Sequence, residues 1–149
     1  MLVAMDDPLT RYVAALERLN RESLADLLAL CDPHMHFRDP FNDCRGVAAF
    51  GHVMEDMFAK LDNVHFTADH VAWSGSDRSC ALIHWHLDAS LRALRGKPWQ
   101  VEGCSMLHFG ADGTLTAHYD YWDAAAGFYE HLPILGRVLG LLRRRIAAH

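Results

Sequence analysis

Long apolar runs are missing from this 149-residue chain, and with them any candidate for a membrane-spanning helix of about 20 residues. A signal peptide is not expected either, because the opening MLVAMDDP is too short and too acidic for one. Cysteine is sparse: Cys31, Cys44, Cys80 and Cys104 are far apart, and no Cys-x-x-Cys spacing occurs. That usage suits reduced thiols and a cytoplasmic location rather than a disulfide framework or a thiolate metal site. Basic excess is lacking too. A net charge of −5 argues against a nucleic-acid partner, with Arg143, Arg144 and Arg145 the one local exception. Neither an internal repeat nor a low-complexity segment is found. What remains is 51% hydrophobic and 22% charged, the balance of one globular domain over residues 1–149 with a buried core.

The chain is organised around His34–Gly46, HMHFRDPFNDCRG. Read with a period of two, Met35, Phe37 and Asp39 share one strand face, and His34, His36 and Arg38 share the other. Pro40 then ends the ladder, because it has no N–H to donate. A carboxylate in line with two apolar side chains must find partners, shift its pKa upward or face a lined cavity. The alternative is an Asp that opens a turn before proline.

Ahead of this stretch, Asp6, Asp7 and Pro8 open a helix whose buried stripe is Tyr12, Val13, Leu16 and Leu19. A phenol on that stripe needs a partner for its hydroxyl. Ser23 caps a short second helix carrying Leu24, Leu27, Leu28 and Leu30, which ends at Asp32-Pro33. After Gly46, residues 47–61 form a third amphipathic helix bearing Phe50, Met54 and Phe58, closed by Asp62-Asn63. Strands follow at 64–73, 79–91, 99–109 and 115–123, joined by turns at Ser74–Asp77, Arg95–Pro98 and Ala111–Gly113. Three helices and then consecutive antiparallel strands predict an α+β fold. In the tail, 124–149, Ile134, Leu135, Val138, Leu139, Leu142 and Ile146 make an apolar stripe, with arginines elsewhere. That pattern suits a lid over a cavity mouth or part of a dimer interface, with contact to a membrane surface the lesser alternative.

The order of these elements resembles the nuclear transport factor 2-like superfamily, a cystatin-like cone. Its three N-terminal helices pack on a strongly curved mixed or antiparallel sheet and enclose an apolar pocket. Within it, Arg11-Tyr12-Val13-Ala14-Ala15-Leu16, Leu24–Leu30 and Phe37-Arg38-Asp39-Pro40 resemble bacterial ketosteroid isomerase. That resemblance puts the general base on Asp39 and the oxyanion tyrosine on Tyr12, and it implies a homodimer and no metal or organic cofactor. The isomerase's second oxyanion group, a protonated aspartate, falls here on Ser105. The last strand, His118-Tyr119-Asp120-Tyr121-Trp122-Asp123, resembles instead the polyketide cyclase branch, which uses an acid/base Asp there.

The resemblance therefore implies catalytic roles for Asp39, Tyr12, Asp120 and Ser105, with His118, Trp122, Phe37 and Phe58 lining the substrate site. Two carboxylates in one apolar cavity would titrate apart, one as base and one as donor. Cofactor-free enolisation, isomerisation or cyclisation of an apolar cyclic ketone, steroid-like or polyketide-like, follows. A non-catalytic pocket for an apolar ligand or lipid is the alternative. The pairs His34/His36 and His84/His86 could chelate a metal, but the sequence offers no third ligand at a recognisable spacing. They are expected to be solvated histidines on outer strand faces.

Overall fold

A computed structural model describes residues 7–147. The expectation that Asp6 helps to open the first helix lies outside those residues.

Helix α1 (Pro8–Glu17) begins where Asp7, in extended conformation, accepts hydrogen bonds from Thr10 N and Thr10 Oγ1, each 3.0 Å long. Pro8 fits the first turn, where an N–H has no helical acceptor. Leu9, Tyr12, Ala15 and Leu16 form its buried face. Helix α2 (Leu24–Leu28) follows. Ser23 stands at its N-cap without capping it, because its hydroxyl accepts from Asn20 N and donates to Arg18 O, closing the end of α1 instead.

Strand β1 (Cys31–Arg38) includes Pro33, which was expected to lie before it. Pro33 is tolerated because the ladder to the neighbouring strand is interrupted between Cys31 and His36. A short strand β2 (Asp43–Arg45), not anticipated from sequence, doubles back antiparallel on β1. Gly46, at φ 95°, then starts helix α3 (Val47–Lys60), which buries Phe50, Met54 and Phe58. The chain passes straight into β3 (Leu61–Trp73), so Asp62-Asn63 lies inside a strand, and Asn63 (φ 53°) sits at an irregularity in it.

Strand β4 (Cys80–Leu91) alternates as read, with Ala81, Ile83, Trp85, Leu87, Ala89 and Leu91 all buried. A turn at Arg95 and Gly96 leads to β5 (Lys97–Phe109). The Asp112-Gly113 turn leads to β6 (Leu115–Tyr121). The six-stranded sheet runs β2-β1-β6-β5-β4-β3; it is antiparallel except where β1 lies parallel to β6. Helices α1 and α3 cover one face of this curved sheet and enclose the core.

Beyond β6, Asp123 caps the single turn α4 (Ala124–Gly127) by accepting from Ala126 N at 3.0 Å. Helix α5 (Leu135–Ile146) closes the described chain with no buried residue. Among the described residues, no helix is long and apolar enough to cross a membrane.

Candidate functional site

Between α1, α3 and the inner face of the sheet runs a cleft lined by apolar groups such as Leu16, Phe37, Phe50, Met54, Phe66 and Ile83. Its polar lining comes from Ser105, His118, Asp120 and the Trp85 indole, with Glu17 and Thr67 completing it. The whole cleft, open mouth included, measures about 440 Å³, but only about 30 Å³ of it admits the centre of a water molecule. That is room for one or two waters.

The strand periodicity explains why these groups meet. In β6, His118 and Asp120 project inward two residues apart, while Tyr119 and Tyr121 project outward. Ser105 on β5 lies directly across from Asp120, and Ile83 on β4 lies across from Ser105. Trp85 pairs with Gly103, whose missing side chain lets the indole approach β5 closely. A Cβ at Gly103 would sit 2.7 Å from Trp85 Cζ2 and 2.8 Å from Tyr121 O.

Two hydrogen-bonded chains converge on one carboxylate oxygen. Tyr12 Oη lies 2.7 Å from His118 Nδ1, and His118 Nε2 lies 2.7 Å from Asp120 Oδ1. From the other side, Trp85 Nε1 donates to Ser105 Oγ at 2.8 Å, and Ser105 donates to the same Asp120 Oδ1. A carboxylate can only accept, so the imidazole proton sits on Nε2, and Nδ1 accepts from the tyrosine. Among the described residues no hydrogen bond reaches Asp120 Oδ2. Burial raises the Tyr12 hydroxyl well above its ordinary pKa, and the charges on Cys31 and Asp120 add to the shift. It therefore stays a protonated donor.

Of the residues singled out in the sequence, Phe37, Ser105, His118 and Asp120 line this cleft. Asp39 does not. Regular pairing stops at Arg38, Pro40 turns the chain, and the Asp39 carboxylate folds back to accept from Phe41 N and Asn42 N, each at 2.7 Å. Asn42 Nδ2 adds a bond of 3.0 Å, so Asp39 closes the turn that leads to β2. Tyr12 is wholly buried behind His118, with its hydroxyl engaged there, so it presents no donor to the cleft. Trp122 lies past the end of β6, in an aromatic cluster with Phe41, Trp99 and Phe128. Phe58 packs in the core.

Nor does the described part of the tail act as a lid, since among the described residues none beyond Asp120 lines the cleft. Helix α5 packs on the short 3-10 turn Tyr129–His131 and leaves Val138 and Ile146, with Ile134 just before it, more than half exposed. The alternation of β4 already placed Trp85 inward. Nothing local to its sequence signalled the bond to Ser105.

The match to known proteins agrees with this geometry. The model of the SnoaL-like domain family matches residues 9–118. No curated protein matches significantly. Among solved structures, the fold is similar to SalBIII, an epoxide hydrolase/cyclase-like enzyme of pyran ring formation in the polyether salinomycin. The TM-score is 0.66 at 10% identity, covering 78% of this chain and 88% of that one. It is similar also to a Mycobacterium tuberculosis protein in complex with estradiol-17beta-hemisuccinate, with a TM-score of 0.66, 16% identity, and 78% and 95% of the two chains covered. A Catenulispora acidiphila protein of ketosteroid isomerase-like fold, in complex with trimethylamine, matches with a TM-score of 0.66 at 17% identity, over 82% and 89%. With its helices packed on a curved mixed sheet like that of a solved NTF2-like protein, and with the family model matching most of its length, the chain belongs to the SnoaL-like domain family.

Proposed function

We propose that this protein is a cofactor-free acid/base enzyme that isomerises or cyclises an apolar cyclic ketone, with Asp120 as the base. One observation carries the reading: an aspartate in an apolar cleft has one oxygen held by two donors and the other without a hydrogen-bond partner among the described residues. Ser105 and His118 would fix the carboxylate, leaving Oδ2 to take a proton from the carbon next to a carbonyl. The proton would then return to a different carbon, or the enolate carbon would close a ring by adding to a second carbonyl of the substrate, whose oxygen takes the proton back from Asp120. Thr67, at the cleft wall, offers the hydroxyl closest in kind to an oxyanion donor. The neighbours of known fold include a cyclase-like enzyme and a protein holding a steroid derivative, which supports this substrate class.

A second reading, a non-catalytic pocket for an apolar ligand, is favoured by one feature. Trp85, Ser105 and Tyr12 all spend their protons on one another, on His118 or on Asp120. The free space is also small, so a ligand must displace side chains such as Met54 or Phe66 on entering.

Ultraviolet-monitored isomerisation of a β,γ-unsaturated cyclohexenone and of a β,γ-unsaturated 3-ketosteroid separates these readings. Asp120→Asn should lower kcat/KM by about 100-fold or more, and Asp39→Asn should stay within a few-fold of wild type. Turnover surviving in Asp120→Asn but lost in Asp39→Asn would reverse the assignment. Ligand-induced change in Trp85 fluorescence without turnover would favour the binding reading.

A further inference from the structure

The sheet's outer face carries a second cluster, with no part in the cleft. His84 and His86 project outward from β4, two residues apart. A bulge in β3 sets Asp69 beside them: Ala68 pairs with Trp85 and His70 with His84, leaving Asp69 as the extra, unpaired residue. One ligand atom from each of Asp69, His84 and His86 lies within 4.8 Å of the other two, and Asp69 Oδ2 faces Nδ1 of both histidines. On the far side of the two rings stands Glu102 of β5, directly across from His86. Its Oε2 lies 3.7 Å from His84 Nε2 and 3.2 Å from His86 Nε2.

We infer that Asp69, His84 and His86 form a binding site for a divalent transition-metal ion such as Zn²⁺, with Glu102 orienting the two imidazoles from behind. A metal-bound histidine presents one ring nitrogen to the ion and donates the other N–H to a carboxylate, which fixes tautomer and ring angle. Here Glu102 Oε2 stands on the Nε2 side of both rings, and the Nδ1 atoms of both rings lie toward Asp69 Oδ2, His86 Nδ1 in direct contact with it. His84 Nδ1 is buried and makes no hydrogen bond, although Asp69 Oδ2 is only 3.3 Å away. An ion-pair network alone would leave that nitrogen orphaned. Ligand atoms around one tetrahedral ion, at bond lengths of about 2.0–2.2 Å, stand about 3.3 Å apart. Two imidazoles and one carboxylate are a donor set for zinc, cobalt, nickel or copper rather than for magnesium or calcium. Three protein ligands leave a fourth position for water.

The test uses the full chain without a histidine tag. Isothermal titration with Zn²⁺ should show one ion per chain. Asp69→Asn and His86→Ala should each weaken binding at least about tenfold, and His34→Ala, from the other spaced histidine pair, should leave it unchanged. Co²⁺ added to wild type should give the intense visible bands of four-coordinate cobalt, a readout that does not depend on any variant folding. A weak spectrum like that of hydrated Co²⁺ would overturn the site. So would Zn²⁺ affinity equal in wild type and in the Asp69→Asn, His86→Ala double variant. Either result leaves the reading of the cleft standing, since the two sites share no residue.

Discussion

Asp39 and Asp120 carry the same side chain, and in the parallel β1–β6 register Arg38 stands beside Tyr119. One more paired residue would have set the two aspartates side by side. Pro40 prevents it, and the fate of each carboxylate is decided by the donors around it rather than by its place in the sequence. Asp39 faces the N–H groups of its own turn; Asp120 faces Ser105 and His118. Gly103 has a similarly local importance, because its bare α-carbon is what Trp85 lies against on the way to Ser105. Gly103→Ala is therefore expected to destabilise the fold by about 1–3 kcal/mol, since the backbone carbonyl of Tyr121 cannot yield as a side chain could. Urea unfolding would measure the loss, and the altered fluorescence of Trp85 would report the broken bond to Ser105.

Among the elements, the N-terminal helices α1 and α3 were legible in both place and face, because Pro8, Gly46 and the apolar spacing each act within one or two turns. Strand β4 was legible for the same reason, its alternation being unbroken. Strand β3 was not: two irregularities, at Asp62/His65 and Ala68/His70, shift which side chains face outward, and only pairing with β4 reveals them. Asp69 joins His84 and His86 through the second of these, so no spacing in the sequence could have named it as a third ligand. Helix α5 was recognised by its stripe, and of the placements that stripe offered the lid falls away, since the helix packs on the adjacent turn and not over the cleft. Removing residues 135–149 should thus change stability by less than about 1 kcal/mol, or about 3 °C in Tm, by differential scanning calorimetry. A much larger drop would mean that its apolar side is covered in the native assembly.

For the whole molecule, burying weakly acidic groups gives stability a direction with pH. Burial pushes the Cys31 thiol from 9.0 up to about 12 and raises the Tyr12 hydroxyl well above 10.0. In both, the folded pKa exceeds the unfolded one, so the unfolded chain loses these protons first as pH rises. Stability from these groups is fully present below about pH 9 and declines above it, as the unfolded thiol and then the unfolded phenol ionise. Urea midpoints measured across alkaline pH should fall, and Cys31→Ala should flatten the fall between the two thiol values. An unchanged slope in that variant would show that the thiol is not protected as its burial implies.

The sequence by itself determined the class of the fold, the helical faces, the inward row of β4 and the cleft positions of Phe37, Ser105, His118 and Asp120. The helical faces, the row of β4 and the inward side of Phe37 follow from periodicity or from a residue acting on its near neighbours, while the family resemblance placed Ser105, His118 and Asp120 on the inner face. Tertiary structure alone decided which aspartate reaches the cleft and that Tyr12 serves His118 from within the core. It alone shows how little open space the packed side chains leave. Those outcomes depend on contacts between residues far apart in the chain, such as Tyr12 with His118 and Trp85 with Ser105. A strand's period tells which way a side chain points, but its hydrogen-bond partners are set by the strands and helices that fold against it.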